Sequence, residues 1–214
     1  MNKVTSIPYR IDREELFERM HIYETQSQYG EFMRAYDELL ILLPEVLNIQ
    51  GIHVLKANDE IEKIHKGLCE VSHIVYCLVT LGPKISELST SYFMEKDFLK
   101  GLMIDSMGDI LLFNASNDYY EVVKNDIYIK QGYALTMRYS PDDSIIPMKF
   151  QKSILDYTNG EKSISVGISE GFMYYPVKTL GYVYGADKDI DLAAKDHDCK
   201  TCSNLSCEFR NVEE

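Results

Sequence analysis

The chain has 214 residues, of which 45% are hydrophobic and 26% are charged, as in globular proteins and unlike disordered chains. Its 22 basic and 34 acidic residues give a net charge of −12, which argues against nucleic-acid or anionic-membrane partners, because clustered Lys and Arg bind those. Since its apolar runs are shorter than a membrane span of roughly 20 residues and its N-terminus lacks the apolar core of a signal peptide, we expect a cytoplasmic protein.

The first 70 residues are predicted to be mainly helical. Asp12 is a suitable N-cap for a short helix that ends near Met20. Pro44 is expected to kink or end a longer second helix, and Asp59 is expected to cap a third. The positions predicted to face inward recur at intervals of three and four residues: Phe32, Tyr36, Leu39, Leu40 and Leu43 in the second helix, and Ile61, Ile64 and Leu68 in the third.

Strands and helices both follow in the rest of the chain. We predict strands at 51–56, 74–80, 133–139, 164–168, 172–174 and 179–185, and helices at 84–93, from 97 with breaks towards 129, and at 150–157. Gly101 and Gly108 lower the helix propensity of their segment, so we expect them to allow close packing. Because helices dominate the beginning and short strands the end, without regular alternation, the sequence predicts an α+β fold.

The densest group of reactive side chains lies near the C-terminus. We assign residues 1–187 to one α+β domain, helical over its first 70 residues, and residues 188–214 to a cysteine-rich tail that holds three of the five cysteines. A metal site in this tail would use Cys199, Cys202, Cys207 and, as the local candidate for the fourth position, His197. Three thiolates and one imidazole satisfy zinc, and three thiolates can hold an iron–sulfur cluster with one open iron. A redox-active or disulfide-forming cysteine pair and a tail with no bound group stay open as alternatives.

A second candidate site lies where the predicted strand at 133–139 runs into a loop. An arginine at a strand end can hold a ligand carboxylate through two parallel hydrogen bonds, which makes Arg138 a candidate binding residue. Backbone groups around Ser140 could hydrogen-bond an adenine or an amine. The alternative is a surface arginine that pairs with Asp142 or Asp143 across a turn.

Aromatic and small residues alternate from Gly171 to Gly185, a segment that includes Tyr174 and Tyr175. Such a segment could line the binding site of a flat ligand, or it could be a hairpin that packs on the core. The sequence contains no glycine-rich phosphate loop, no Walker pattern and no His-Glu-x-x-His motif, and it allows no Ser/His/Asp triad to be placed. We therefore assign no catalytic residue.

Several motifs follow one another in order between about residues 70 and 210. They are Val79-Thr80-Leu81-Gly82-Pro83, Asp105-Ser106-Met107-Gly108, Arg138-Tyr139-Ser140-Pro141, Met173-Tyr174-Tyr175-Pro176-Val177-Lys178-Thr179 and a final Cys-x-x-Cys-x4-Cys-x-x-Arg pattern. Together they resemble the activation domain of cobalamin-dependent methionine synthase, in a free-standing form. This resemblance implies a twisted antiparallel sheet with flanking helices, and a shallow groove that binds S-adenosylmethionine. The cofactor-binding residues that it implies are Arg138, Ser140, Pro141, Tyr174 and Tyr175.

The resemblance also implies a function and partners. The function is reductive reactivation of cobalamin on a cobalamin-dependent methionine synthase or another corrinoid protein, with one electron from a flavodoxin-like or ferredoxin-like donor. The chain would supply positioning, because the reduced cobalt is itself the nucleophile that takes the methyl group. The alternatives are a non-catalytic corrinoid-protein binding module whose tail holds a metal, and a redox accessory protein that uses Cys199 and Cys202.

The loop after Arg138 departs from the pattern Arg-x-x-Pro-Gly-Tyr of the family, because Asp142-Asp143 replaces Gly-Tyr. Glycine lets the backbone approach a ligand closely, tyrosine contacts the ligand, and two carboxylates repel a ligand carboxylate. We therefore expect Asp142→Gly with Asp143→Tyr to tighten the binding of S-adenosylmethionine, measured by calorimetry. Weaker binding in the double variant would show that the two carboxylates belong to the recognition chemistry of this protein.

Overall fold

The structure is a computed structural model that describes residues 4–58, 65–141 and 146–200, together with six residues near the end of the chain: 202, 204, 205, 207, 209 and 210. The predicted cap Asp59, the inward positions Ile61 and Ile64, and the pair Asp142-Asp143 lie outside the described residues. Within the described part of the chain, no helix is both long enough and apolar enough to cross a membrane.

A five-stranded antiparallel sheet forms the centre of the fold. Its strands are β1 (Thr5–Ser6), β2 (Gln50–Ala57), β3 (His73–Thr80), β4 (Ala134–Tyr139) and β7 (Thr179–Asp187), and β5 (Gly167–Ile168) pairs with β6 (Tyr174–Tyr175) in a separate two-stranded sheet. The order across the large sheet is β1-β2-β3-β7-β4. β3 lies in the middle and pairs along its full length with β2 and with β7. The predicted α+β class, with an antiparallel sheet and flanking helices, is confirmed.

Helices cover both faces of this sheet. They are α1 (Arg13–Arg19), α2 (Tyr29–Val46), α3 (Lys66–Cys69), α4 (Lys84–Met94), α5 (Phe98–Lys124), α6 (Phe150–Thr158) and α7 (Gly160–Ile164), and a π-helical turn (Asn125–Ile129) continues α5. The Asp12 carboxylate accepts hydrogen bonds from the first turn of α1, and the Asp97 carboxylate accepts one from the first turn of α5. Both predicted helix starts are therefore confirmed, because an N-cap satisfies backbone N–H groups that have no partner within the helix.

The core divides into two clusters, one on each face of the sheet. Val75, Cys77 and Val79 of β3 point towards the first cluster, which α1, α2, α4 and α5 complete. The alternate residues, Ile74, Tyr76 and Leu78, point towards the second cluster, with α6 and α7. Burial on both faces explains why β3 is a continuous apolar run in the sequence.

Pro44 lies in the last turn of α2, which ends two residues later at Val46, as expected for a proline that kinks or ends a helix. Two details of the predicted elements are wrong. Leu40 is 38% exposed, because the buried face of α2 is narrower than the predicted stripe. The predicted strand at 164–168 is confirmed only at Gly167–Ile168, because α7 continues to Ile164 and Ser165 then ends it in a left-handed conformation.

Close contact between β2 and α5 depends on Gly51. A Cβ atom at this position would lie 2.6 Å from Cε2 of Tyr119, whose side chain is fully buried. The Tyr119 hydroxyl also lies 2.9 Å from Nδ1 of His53, so the ring is held at its hydroxyl end as well. A larger residue at position 51 would therefore displace a ring that has no free space around it.

We expect Gly51→Ala to lower the free energy of unfolding by about 1–3 kcal/mol, the range for overpacked cores, in urea denaturation. The control is Gly30→Ala at the exposed start of α2, where the nearest atom to a new Cβ is Arg34 Nη1 at 3.8 Å. That change should leave the free energy unchanged or raise it by up to about 1 kcal/mol. A Gly51→Ala protein as stable as the parent would contradict this account of the β2–α5 contact.

Candidate functional site

A cavity of about 200 Å³ lies between α5, the end of β4 and the C-terminal tail. The described residues that line it are Asp109, Leu112 and Phe113 from α5, Arg138 and Ser140 at the end of β4, Leu180 from β7, and His197, Cys202, Asn204, Cys207 and Phe209 from the tail. The fold thus brings together two groups of residues that the sequence singled out separately, the arginine at the strand end and the cysteine-rich tail.

Arg138 is a buried cation in the wall of this cavity, with 8% of its surface exposed. Its Nη1 donates a hydrogen bond to Oγ of Ser116 at 3.1 Å, and its Nη2 donates one to Oδ1 of Asn117 at 3.3 Å. The guanidinium carbon lies 5.1 Å from the centre of the Tyr182 ring, within the range of a cation–π contact. These contacts with α5 and β7 fix the plane in which the guanidinium can donate hydrogen bonds to a carboxylate.

The tail supplies a carboxylate to Arg138. Oδ2 of Asp196 lies 3.6 Å from Nη1 of Arg138, and the backbone N–H of Arg138 donates to the carbonyl oxygen of Asp196 at 2.8 Å. The Tyr184 hydroxyl donates to Oδ1 of Asp196 at 2.5 Å. Burial raises the pKa of Tyr184 well above its ordinary value, so the phenol stays protonated and keeps donating. Sequence reasoning missed Asp196, because its partner is 58 positions earlier in the chain (196 − 138).

Ser140 and Pro141 follow β4 directly and are both buried. The Ser140 hydroxyl donates to the carbonyl oxygen of Gly181 in β7 at 3.4 Å. Ser140 lines the cavity together with Arg138, whereas Pro141 is not one of the lining residues. The structure therefore brings two of the five predicted cofactor-binding residues to one wall.

The two predicted tyrosines lie elsewhere in the fold. Tyr174 is buried in the cluster on the α6 face, where its hydroxyl donates to the carbonyl oxygen of Gln151 at 2.8 Å. Tyr175 is 57% exposed, and its ring lies against Gly167 of the neighbouring strand. Neither tyrosine lines the cavity that contains Arg138. Their role in cofactor binding stays a prediction.

The four predicted metal ligands line two adjoining cavities. His197, Cys202 and Cys207 line the Arg138 cavity, and Cys199 lines an adjoining cavity of about 360 Å³ that His197 also lines. All five cysteines are free of disulfide bonds. In the part of the chain that the structure describes, no group of three or more His, Cys, Asp or Glu residues is arranged to hold a metal ion. The tail metal site stays a prediction.

A buried lysine to which sequence analysis assigned no role lies beside the cavity. Nζ of Lys178, which is 6% exposed, lies 2.9 Å from Oδ1 of Asp105 and 2.6 Å from Oδ1 of Asp109. Gly108 makes room for the lysine, because a Cβ there would lie 3.0 Å from Lys178 Cε. The expected close packing at this glycine is therefore confirmed. The ion pair with Asp109 also joins Lys178, the residue before β7, to a residue that lines the cavity.

Comparison with known proteins identifies a solved structure of the same fold. The chain is similar to the crystal structure of the MetH reactivation domain bound to AdoHcy, with a TM-score of 0.64, 15% sequence identity, and coverage of 89% of this chain and 80% of that chain. No protein-family model matches the chain, and no curated protein sequence matches it. At this identity the likeness shows a shared fold, and the chain therefore has the fold of the MetH reactivation domain.

Proposed function

We propose that this protein binds S-adenosylmethionine and presents it for the reductive reactivation of a cobalamin-dependent methionine synthase. The observation that carries the proposal is the buried, oriented guanidinium of Arg138 in a cavity on this fold. The structural neighbour holds AdoHcy. S-adenosylhomocysteine is what S-adenosylmethionine becomes when it gives up its methyl group, so the two ligands share their carboxylate, amine and adenosine groups.

Arg138 is the residue that we propose binds the ligand carboxylate. The hydrogen bonds to Ser116 and Asn117 hold its guanidinium in place before the ligand arrives, which reduces the entropy lost on binding. Ser140, on the same wall, would place backbone groups beside the adenine or the amine. A carboxylate paired with a buried arginine forms charge-assisted hydrogen bonds, which are stronger than neutral ones.

The reaction needs positioning from this chain rather than a base or a nucleophile. Reduced cobalamin on the partner enzyme would supply the nucleophile, and a flavodoxin-like or ferredoxin-like donor would supply the electron. The task of Arg138 and Ser140 is to hold the amino-acid and adenosine parts of the ligand, so that its sulfonium methyl group faces the partner. No titratable residue of this chain is required to change its protonation state in this step.

We expect Arg138→Ala to weaken the binding of S-adenosylmethionine by about 1.5–3 kcal/mol, the range for hydrogen bonds to charged groups, in isothermal titration calorimetry. Arg138→Lys, which keeps the charge but loses the paired donors, should show an intermediate loss. The control Arg10→Ala removes an exposed arginine that pairs with Asp118 and does not line the cavity. Unchanged affinity in a folded Arg138→Ala protein would contradict the proposed role of this arginine.

A second candidate function follows from the position of the tail. Three of the four predicted ligands line the same cavity as Arg138, and the fourth lines the adjoining one. This placement supports a corrinoid-protein binding module in which a zinc ion or an iron–sulfur cluster orders the tail beside the partner. Metal binding would require the cysteine thiols to lose their protons and to converge around the metal.

We expect anaerobically purified protein, reconstituted with zinc or with iron and sulfide, to retain metal that Cys199→Ser with Cys202→Ser abolishes, measured by elemental analysis. The control is Cys69→Ser, at an exposed cysteine outside the tail. The thermal unfolding of the domain should be the same in all three proteins. Absence of bound metal in the parent would contradict this candidate, and a Cys199–Cys202 disulfide in its place would favour the redox accessory function.

A further inference from the structure

The C-terminal segment returns across the molecule after β7 and forms much of the cavity wall. We call the described residues of this segment, 188–200, 202, 204, 205, 207, 209 and 210, the strap. The backbone N–H of Ala193 donates to the carbonyl oxygen of Leu135 in β4 at 2.9 Å. Near the other end, Phe209 stacks on Phe113 of α5 with 4.4 Å between ring centres, and the Arg19 guanidinium lies 3.8 Å above the Phe209 ring. The strap is thus attached to the sheet and to the helices on either side of the cavity.

Between these two attachments, the Asp196 carboxylate pairs with Arg138 from the side of the adjoining cavity, which Asp196 lines. The pairing is imperfect. Oδ1 of Asp196 accepts the Tyr184 hydroxyl, but the buried Oδ2 has no hydrogen-bond partner and lies 3.6 Å from Arg138 Nη1, which is too far for a good hydrogen bond. A buried carboxylate oxygen without a hydrogen bond is costly. A ligand carboxylate in hydrogen-bond contact with Arg138 would therefore compete well against Asp196.

The cavity beside Arg138 is also small. Small-molecule sites usually enclose about 300–1,000 Å³, whereas this cavity encloses about 200 Å³. Among the eleven lining residues that the structure describes, five belong to the strap: His197, Cys202, Asn204, Cys207 and Phe209. Movement of the strap would enlarge the space beside Arg138 and would remove Asp196 from the guanidinium at the same time.

We propose that Asp196 is an internal carboxylate ligand of Arg138, and that the strap and a carboxylate-bearing ligand occupy the cavity in mutually exclusive states. The identity of the ligand as S-adenosylmethionine rests on the proposed function, but the displacement of the strap does not. A ligand that binds only the open state shifts the population towards that state, and the closed state lowers its apparent affinity. Ligand binding would then expose the strap cysteines.

The test uses Asp196→Asn, which keeps the shape of the side chain and removes its charge. The control is Asp191→Asn, an exposed strap position that changes the net charge equally.

All proteins carry Cys69→Ser and are freed of metal with a chelator. Cys77 should not react, since it is fully buried and burial raises the pKa of its thiol. The thiol-reactive reagent DTNB then reports on Cys199, Cys202 and Cys207 alone.

We expect Asp196→Asn to bind S-adenosylmethionine about fivefold more tightly or better, and to react faster with DTNB in the absence of ligand. In the parent, saturating S-adenosylmethionine should accelerate the same thiol reaction. Protection of the thiols by the ligand would overturn the proposal, because it would mean that the strap closes over the ligand. An unchanged affinity in Asp196→Asn would also overturn it.

The two proposals fail separately. If S-adenosylmethionine binds neither protein in calorimetry, the proposed function fails. The strap proposal is then tested only by the rates at which the strap cysteines react with DTNB. In that case an Asp196→Asn protein whose DTNB rate equals that of the Asp191→Asn control overturns the strap proposal. A faster rate in Asp196→Asn supports it, because an asparagine side chain can still accept from the Tyr184 hydroxyl but has lost the charge that pairs with Arg138.

Discussion

A buried guanidinium is the constraint on which the candidate site depends. A charge that leaves water must be paired and hydrogen-bonded, or the fold loses several kcal/mol. Around Arg138 this requirement is met by Ser116 and Asn117 of α5 and by Asp196 of the strap. Through these contacts a single side chain of β4 joins α5 and the strap.

Local features of the fold were predictable from the sequence, and long-range pairings were not. The helix starts at Asp12 and Asp97 follow from N-capping, which involves only the next three residues, and β3 follows from its continuous apolar run. Arg138 and the cysteine tail were each singled out, but their meeting in one cavity depends on how the strap packs, which no sequence spacing reveals. The position of Tyr174 was likewise unpredictable, because the pairing of β6 with β5 decides on which face its ring lies.

The two parts of the proposed mechanism rest on different observations. Ligand binding rests on an oriented arginine within a fold shared with a domain whose solved structure holds AdoHcy. Control of that binding rests on the Asp196 contact, the small cavity and the strap residues that line it. Cysteines in the same strap would connect access to the cavity with their metal or redox state, since any group that holds the strap also holds Asp196.

The most direct measurement of the central claim is a crystal structure of the protein with bound S-adenosylhomocysteine. The account predicts the ligand carboxylate within about 3 Å of the Arg138 guanidinium nitrogens, the distance of a charge-assisted hydrogen bond. It also predicts that Asp196 has moved off the guanidinium and that Phe209 no longer stacks on Phe113. A ligand bound elsewhere, with Asp196 still in contact with Arg138, would contradict the account.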